Sequence, residues 1–453
     1  MKTSEANIIR QRIDDGPLTP AMVLVVAIAF MLSLLDGFDV ISISVAATAL
    51  SNDWGISRGQ LGPIFSAALV GMTLGAALLA PLADRIGRRR ILLLSTLFIG
   101  TAMILTGQIR GDLPEVRILG WTVSQSILLL MLVRFVAGLG VGVVFANAAT
   151  IASEAVPEQH RDFAVLIAIA GYPFGATLVG PIAHWILENY NWQMVFTGGG
   201  AATLLMSVVI FFWLPESVDY LAAKKDRSEK DLNDINAILK RFRRDPIPAL
   251  PERTDTDNIK AATVGSILAP QFRWDTIALW TTYFMGFMTL YFLLSWIPTL
   301  FEDAGYSRRE GIQALTYFNL GGVTGIVTIG LWAKKVKLSK PIALFFVGGA
   351  VSLSIIWALQ LKDASILNAL IFANGVLLQG AFSGLYAVAA RYYPTTVRAT
   401  GVGWGAGLGR VGAIVSPIIA GVLAAGGWGM YPLFVLFAVP LLIAAAMILR
   451  FKL

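Results

Sequence analysis

Cysteine is absent from the sequence, and histidine occurs only twice, as His160 and His184. Without cysteine the chain has no disulfides, no thiolate metal ligands and no cysteine nucleophile. Two histidines are too few for the histidine-rich centres that bind zinc. We therefore expect no metal and no cofactor, and no pairing of a nucleophile with a base indicates an enzyme.

Charged side chains are also scarce. They make up 14% of the 453 residues, whereas 56% are hydrophobic, and soluble domains carry roughly 25% charged residues. So few charges cannot cover the surface of a soluble body of this size, and the hydrophobic residues fall in long runs. These features indicate a membrane protein with many helices.

The hydrophobic runs have the length of membrane-crossing helices, which need about 20 mostly apolar residues. Twelve segments meet this requirement, and we call them spans 1 to 12 in chain order. Their predicted bounds are 20–50, 58–83, 90–109, 122–150, 162–187, 193–214, 274–298, 310–333, 341–360, 364–390, 397–424 and 431–450. The expected fold class is an all-α integral membrane protein with twelve transmembrane helices.

The distribution of lysine and arginine predicts how the spans are oriented. The net charge is +7, and an even number of spans places both termini on one side. Most of the 35 basic residues lie on that side, which is the cytoplasmic side by the positive-inside rule. The six in loops on the other side are Arg58, Arg110, Arg117, Arg308, Arg309 and Lys362. The sequence predicts a multi-pass protein of the cytoplasmic (inner) membrane with both termini in the cytoplasm, in contact with the lipid bilayer and not with nucleic acid.

Six spans precede a polar central segment and six follow it. The predicted organisation is a cytoplasmic N-terminus at 1–19, an N-terminal six-helix half at 20–214, a cytoplasmic central loop at 215–272 and a C-terminal six-helix half at 273–453. Each half has its most basic short loop between its second and third spans. Two six-span halves with matching features are typical of transporters built from repeats.

Three motifs resemble those of one transporter superfamily. The loop after span 2 reads Asp84-Arg85-Ile86-Gly87-Arg88-Arg89-Arg90, span 4 contains Arg134-Phe135-Val136-Ala137-Gly138-Leu139-Gly140, and span 6 closes on Leu214-Pro215-Glu216-Ser217. Together with twelve spans, they resemble the signature of the major facilitator superfamily over the whole chain. One position departs, since the family has glycine four residues before the aspartate and this chain has Ala80.

Span 1 carries a narrower resemblance. Asp36-Gly37-Phe38-Asp39 resembles the Asp-Gly-x-Asp motif of the aromatic acid/proton symporter family, and Glu154, Arg398 and Arg410 match charged positions of that family. The resemblance implies a proton-coupled importer of a small aromatic carboxylate, such as benzoate or hydroxybenzoate, with the proton as coupling ion and a monomer as the working unit. The loop Lys334-Lys335-Val336-Lys337 departs from the family, which usually has an acidic residue there.

Charges inside membrane spans are costly and therefore point to function. Asp36 and Asp39 are three residues apart, so they share one face of span 1. Two adjacent carboxylates resist simultaneous ionisation, and a low dielectric favours the protonated form. We expect at least one of them to bind and release the coupling proton, and Gly37 between them to permit close approach of another backbone.

A basic partner for these carboxylates is expected in span 4. At about 1.5 Å per residue, Asp39 and Arg134 both lie roughly 17 Å from the predicted outer ends of their spans. The hypothesis is that Arg134 alternates between an aspartate of span 1 and the substrate carboxylate. The alternative is a permanent ion pair that stabilises the N-terminal half.

A second intramembrane arginine, Arg410, lies about 20 Å into span 11, and no acidic residue follows Pro394. It must pair across the bundle, face water or bind an anion. A planar guanidinium matches a carboxylate with two parallel hydrogen bonds. Arg410, followed by Arg134, is therefore the predicted anchor of the substrate carboxylate, with a structural pair across helices as the alternative.

Two further groups of residues complete the predicted site. The family resemblance implies a cytoplasmic gate formed by Asp84, Arg85, Gly87, Arg88, Glu154 and Arg398. The ring of an aromatic acid needs apolar or aromatic walls, for which the candidates at mid-membrane depth are Phe38, Tyr172, Phe287, Tyr291 and Trp404. The candidates for binding a ring hydroxyl are Asn147 and Gln379.

Three other functions stay open on the sequence. A proton-driven exporter is one, although the Gly-Pro-x-x-Gly-Gly motif of drug antiporters is broken after Gly180-Pro181. An organic-anion exchanger or uniporter is another, and the paired aspartates argue against it. A membrane sensor of aromatic acids would signal through the central loop, which contains no recognisable signalling domain.

Overall fold

The computed structural model describes residues 6–118, 121–224, 228–250, 264–332 and 337–451. Within them, twelve helices are long and apolar enough to cross a membrane. Spans 1 to 12 are Pro20–Trp54, Arg58–Ile86, Arg88–Gln108, Gln125–Glu154, Glu158–Asn189, Gln193–Trp213, Arg273–Asp303, Arg308–Trp332, Ser339–Leu359, Ala364–Tyr392, Thr396–Ala425 and Met430–Ile448. Each predicted span has its helix, with bounds that differ by no more than five residues, and the all-α fold class is confirmed.

Span 1 is the longest of the twelve, and local sequence sets its ends. The Thr19 side chain accepts a hydrogen bond from the backbone N–H of Met22 at 3.4 Å, and Pro20 occupies the first helical position, where no N–H donor is needed. Gly55 ends the helix with φ +65°, a left-handed conformation that glycine adopts without strain. The 35 residues extend about 52 Å, so the helix continues beyond the hydrocarbon core of a bilayer.

The two six-span halves are built on the same pairing of helices. In the first half, span 1 packs on span 5, span 2 on span 4 and span 3 on span 6. In the second half, span 7 packs on span 11, span 8 on span 10 and span 9 on span 12. Adding six to each span number in the first set gives the second set. The same helix pairing in both halves is the arrangement of a structural repeat.

Glycine allows spans 1 and 5 to approach closely. A Cβ at Gly37 would overlap the carbonyl oxygen of Tyr172, and a Cβ at Gly175 would overlap the carbonyl oxygen of Leu34. Contact of backbone on backbone requires a residue without a side chain. The close approach brings the Tyr172 segment of span 5 beside the two aspartates of span 1.

Span 2 changes its helical form near the side of the bundle that carries both termini, which we call the terminal face. A π-helical turn, Gly75–Leu79, is followed by a 3-10 turn, Ala80–Leu82, and a last α-helical turn. The carbonyl of Ala80 accepts a hydrogen bond from the Asn147 side chain of span 4 at 3.4 Å. Such π-turns frequently occur at functional sites, and this one adjoins the predicted gate.

The structure also contains short elements outside the spans. They are the helices Ala6–Asp14, Val218–Ala223, Glu229–Arg241 and Val264–Ile267 and the antiparallel strands Glu115–Ile118 and Trp121–Ser124. The N-terminal helix docks between spans 4 and 5, because Arg10 donates to the carbonyl of Glu154 at 2.7 Å and Asp14 accepts from the backbone N–H of Glu158 at 2.8 Å. Its Ile13 side chain is fully buried, so ordered polypeptide covers these span ends.

The central loop packs on protein rather than standing free. Ile235 and Leu239, on one face of its helix Glu229–Arg241, are fully buried in the hydrophobic core of the chain. The Arg241 guanidinium donates to the carbonyl of Trp213 at the end of span 6 at 2.7 Å. The described part of this loop is therefore tied to the first half.

The two halves meet on the side away from the termini, which we call the opposite face. Arg58 at the start of span 2 donates two hydrogen bonds of 2.7 and 3.1 Å to the carboxylate of Asp303 at the end of span 7. Deeper in the bundle, the Ser66 hydroxyl of span 2 donates to the carbonyl of Ile414 in span 11 at 2.6 Å. These contacts close the opposite face.

Toward the terminal face, span 11 separates from span 2. Ile414, Arg410, Gly407 and Gly403 follow one another on one side of the helix. The Arg410 guanidinium still reaches the carbonyl of Met72 in span 2 at 3.1 Å. Among the described residues, nothing lies within 4 Å of a Cβ built at Gly407 or Gly403. Along this helix the bundle is therefore open toward the terminal face.

Candidate functional site

Arg134 and Asp39 form an ion pair inside the first half. Nη1 of Arg134 donates to Oδ1 of Asp39 at 2.6 Å, and Nη2 donates to Oδ2 at 3.3 Å and to the Asp39 carbonyl at 3.2 Å. The two side chains are 0% and 1% exposed, and the ring of Phe196 lies 5.7 Å from the guanidinium. Removing either charge would leave the other unpaired in apolar surroundings, so the pair is firmly held.

Asp36 is placed differently, although it lies one turn away on the same helix. The residue is 3% exposed, and it forms an ion pair with none of the basic residues that the structure describes. Its Oδ2 makes no hydrogen bond to any described group. Tyr172 of span 5 lies within electrostatic reach of both Asp36 and Asp39. Asp39 thus has a counter-charge, whereas Asp36 has none among the described residues and lies near Tyr172.

Arg410 lies in the middle of the bundle with no acidic partner in the described part of the chain. Its Nη1 donates to the carbonyl of Met72, and its guanidinium lies 5.8 Å from the ring centre of Phe145 in span 4. Tyr291 of span 7 and Tyr386 of span 10 are within its electrostatic reach. A guanidinium has five N–H donors, so donors are left for an anion.

Five rings of spans 7 and 10 form an aromatic cluster beside Arg410: Tyr283, Phe287, Tyr291, Phe382 and Tyr386. The ring centres of Phe287 and Phe382 are 4.2 Å apart, and Phe287 stacks on Tyr291 at 5.7 Å. Tyr386 packs 5.5 Å from both Phe382 and Tyr283. Tyr291, Phe382 and Tyr386 are only half-buried. An aromatic wall next to a guanidinium suits a ring that carries a carboxylate.

The predicted pocket residues Phe287 and Tyr291 belong to this cluster, and Tyr172 faces it from the first half. Phe382 and Tyr386 of the cluster were missed. They are four residues apart on span 10 and therefore share one helix face. That spacing was the signal available in the sequence, but it did not show that the face turns toward span 7.

Three other predicted pocket residues lie apart from the aromatic cluster. The ring of Phe38 lies against Gly199 of span 6. Gln379 turns toward span 8, where its amide donates to a backbone carbonyl at 3.3 Å. Trp404 packs on Trp280 with ring centres 6.4 Å apart and is 46% exposed. In this conformation, these three side chains point away from the aromatic cluster because of their positions on their helices. Their contact with a substrate stays a prediction.

The loop between spans 2 and 3 gathers the predicted gate residues of the first half. Arg88 pairs with Asp84 and with Glu154 of span 4, each at 3.1 Å. Asn147 accepts a hydrogen bond from Arg88 at 3.2 Å, which places it at this gate and away from the aromatic cluster. Arg398 of span 11 is exposed and donates to a backbone carbonyl of its own segment at 3.3 Å. The gate residue of the second half is therefore separate from those of the first.

Two of the family motifs meet at this loop. Gly87 has φ +105°, and a Cβ there would overlap the carboxylate of Glu216 from the end of span 6. Glu216 accepts a hydrogen bond from the backbone N–H of Arg89 at 3.0 Å, and the carbonyl of Arg85 accepts one from the Tyr220 hydroxyl at 3.1 Å. Glycine is required here because the backbone is left-handed and the carboxylate occupies the space of a side chain.

Two remaining expectations concern metals and the second basic loop. The described residues contain no group of three or more His, Cys, Asp or Glu side chains that could hold a metal ion. The basic loop predicted at Lys334-Lys335-Val336-Lys337 lies outside the described residues, except for Lys337. Its effect on gating stays a prediction.

Twelve helices in two related halves, with charged side chains held at their centre, define a membrane transporter. The family model of the Major Facilitator Superfamily matches residues 29–367. The chain is 32% identical over 438 residues to the 4-hydroxybenzoate transporter PcaK of Acinetobacter baylyi, covering 96% of this chain and 92% of the relative. It is 30% identical over 441 residues to a gallate transporter of Pseudomonas putida, covering 97% of this chain and 94% of the relative.

Among solved structures, an inward-open conformation of the xylose transporter XylE from Escherichia coli is similar with a TM-score of 0.73. It shares 16% identity, covers 95% of this chain and 96% of its own, and shows the fold alone. The chain belongs to the Major Facilitator Superfamily, whose members are transporters and not enzymes. Its relatives are named as aromatic acid transporters, which confirms the family resemblance of the sequence motifs.

Proposed function

We propose that this protein is a proton-coupled importer of a small aromatic carboxylate, such as a hydroxybenzoate or benzoate, that works by alternating access. The observation that carries the proposal is Arg410, which has no described acidic partner and lies 5.8 Å from the ring centre of Phe145. A guanidinium binds a carboxylate through two parallel hydrogen bonds, and aromatic walls accept the ring. The names of the relatives, transporters of 4-hydroxybenzoate and gallate, support this substrate class.

The coupling proton is assigned to Asp36. Asp39 already has a counter-charge in Arg134, whereas Asp36 is buried without one. An ionised carboxylate in this position opposes movement of span 1 through apolar surroundings, and a bound proton removes the charge. Arg134 then serves by holding Asp39, and Arg410 is the anchor of the substrate.

Alternating access is supported by the way the halves meet. The charge distribution of the sequence makes the terminal face cytoplasmic, so the structure is closed outward at Arg58 and Asp303 and open inward along span 11. The outward-facing state requires the Arg58–Asp303 pair to separate. It also brings Arg398 toward Glu154 and the other gate residues of the first half.

The same reasoning assigns the protein to the cytoplasmic (inner) membrane, with both termini and the central loop, 215–272, in the cytoplasm. The moving units are the halves 20–214 and 273–453. Both contribute side chains to one central site, so a single chain is sufficient for transport.

Proton flux in proteoliposomes tests the function. Purified protein is reconstituted, and the external pH is followed as 4-hydroxybenzoate, gallate and aliphatic acids are added in turn. Hydroxylated acids are chosen because neutral benzoic acid crosses lipid unaided. Symport predicts alkalinisation outside that appears only with protein and only with aromatic acids, and that disappears in Asp36→Asn.

The matched control is Asp112→Asn, since Asp112 is an exposed carboxylate paired with Arg110 in a loop. This variant is expected to behave as wild type. Entry of labelled acid without any proton flux would overturn symport and identify a uniporter or exchanger. Proton flux driven equally by aliphatic acids would overturn the substrate class.

A further inference from the structure

Two tyrosines lie between the proposed proton site and the proposed substrate anchor. Tyr172 of span 5 is a neighbour of Asp36 in the first half and of Tyr291 in the second half. Tyr291 of span 7 is in turn a neighbour of Arg410. Each of these groups is therefore within electrostatic reach of the next, from Asp36 through two hydroxyls to the guanidinium.

The polar atoms along this path have unused hydrogen-bonding capacity. The Tyr172 hydroxyl and Oδ2 of Asp36 are both buried, and neither makes a hydrogen bond with any described residue. The Tyr172 and Tyr291 hydroxyls lie near one another without completing one. Buried polar atoms are normally satisfied, so an exception needs a reason. These atoms are free to form hydrogen bonds in another state of the transport cycle.

The other charged and titratable groups near the path are already engaged. Asp39 on the same helix is bound by Arg134 of span 4. Tyr386 of span 10 packs within the aromatic cluster and is within electrostatic reach of Arg410 and of Tyr291. Tyr291 borders a small cavity of about 20 Å³ between spans 1, 2 and 7, which is about the space of one water. The Tyr291 side chain is therefore not tightly packed on every side.

We infer that Tyr172 and Tyr291, which we call the tyrosine bridge, transmit the protonation state of Asp36 to the substrate carboxylate at Arg410. The inference rests on the proposed symport and identifies the residues that link its two sites. These two are positioning residues for coupling, and neither takes up the transported proton.

The physical basis is that a tyrosine hydroxyl has one hydrogen to donate. When Asp36 is ionised, Tyr172 donates to its free oxygen and accepts the hydrogen of Tyr291, so Tyr291 has none left for a substrate. When Asp36 is protonated, Tyr172 is released from the carboxylate and donates toward Tyr291. The Tyr291 hydroxyl then donates to the carboxylate held by Arg410. Protonation of Asp36 thereby favours binding of the acid, as symport requires.

The test is the pH dependence of binding in variants that keep the rings and lose the hydroxyls. In wild type, a coupling of this kind strengthens binding of labelled 4-hydroxybenzoate about ten-fold from pH 8 to pH 6. In Tyr172→Phe and in Tyr291→Phe we expect the two pH values to give affinities within about two-fold of each other. Exchange of labelled for unlabelled acid at constant pH should persist in both variants, which shows that they are folded and bind substrate.

Tyr386→Phe is the matched control, because it removes a hydroxyl beside Arg410 that is not on the path. It should weaken binding to the same extent at both pH values and keep the ten-fold ratio of wild type. If both bridge variants keep the wild-type ratio of affinities between pH 6 and pH 8, the tyrosine bridge is overturned and symport stays intact. Wild-type binding that does not change with pH, together with uptake that moves no protons, would overturn both proposals.

Discussion

Arg134 donates hydrogen bonds to the Asp39 carboxylate from both of its terminal nitrogens, the shorter at 2.6 Å, and both side chains are buried. The contact joins span 4 to span 1 at the level of the two aspartates. It leaves Asp36, three residues earlier, without a charged partner in the described structure. One arginine thereby gives a counter-charge to one of two neighbouring carboxylates and not to the other.

Removing the charge of Asp39 should destabilise the protein. Asp39→Asn leaves Arg134 as an unpaired charge in apolar surroundings, and we expect the free energy of unfolding to fall by about 3–5 kcal/mol. Replacing the whole pair, Asp39→Leu with Arg134→Met, should restore most of the loss, since apolar residues of similar volume replace buried ion pairs without penalty. Thermal unfolding in detergent measures both effects. The double variant should fold. Wild-type uptake by it would show that the pair is structural only, and loss of uptake in the folded double variant would show that the pair also takes part in transport.

The contact between spans 1 and 5 should not tolerate a side chain at Gly37. Gly37→Ala places a methyl group on the carbonyl oxygen of Tyr172, and overpacking of this kind costs about 1–3 kcal/mol. Gly198→Ala in span 6 is the control, because its Cβ would meet no described atom within 4 Å and alanine favours a helix by about 1 kcal/mol. Unfolding temperature and uptake are compared side by side. Equal stability of the two variants would contradict the packing.

Binding of the substrate should depend on the planar guanidinium of Arg410 and not on its positive charge alone. Arg410→Lys keeps the positive charge but loses the planar fork, and we expect about ten-fold weaker binding of 4-hydroxybenzoate, with a larger loss in Arg410→Met. Arg450→Lys is the control, since Arg450 pairs with Asp275 outside the site. Equilibrium binding to purified protein gives the affinities. Undiminished affinity in Arg410→Met would show that the carboxylate binds elsewhere.

The Arg58–Asp303 pair should hold the opposite face closed. Ion pairs at a surface contribute about 1 kcal/mol at most, so Asp303→Asn should raise the population open at that face about five-fold. The chain lacks cysteine, so spin labels at Asn52→Cys and Ala304→Cys, both exposed positions, report the distance across this face. Asp112→Asn breaks a surface pair within the first half and should leave the distances unchanged. An unaltered distance distribution in Asp303→Asn would remove the pair from the gating mechanism.

Membrane spans were the part of the fold most easily predicted. A bilayer imposes a minimum length and an apolar composition on each crossing helix, and both are visible in one sequence. The short helices outside the membrane have no such constraint. The N-terminal helix Ala6–Asp14 is held by buried contacts such as those of Ile13 and by Arg10 at the end of span 4. Their stability comes from docking, which sequence pattern does not show.

The meeting of Asp39 with Arg134 was predicted, but the depths used to predict it were inaccurate. Span 1 continues to Trp54 and span 4 begins at Gln125, so the two residues lie about 22 and 14 Å from their helix ends. They still meet because helices of unequal length end at different levels. The contact was decided by which helices are neighbours in the bundle, and not by the distance of each residue from the end of its helix.

The sequence by itself determined the number of spans and the identity of the ionisable residues inside the membrane, and it predicts the division into halves and the orientation by charge. All of these follow from the cost of placing polar groups in lipid. Only the tertiary structure decided which aspartate Arg134 binds, that Phe382 and Tyr386 join Phe287 beside Arg410, and that Phe38 turns away to span 6. These outcomes depend on how each helix is rotated against its neighbours, and rotation is set by packing between segments far apart in the chain.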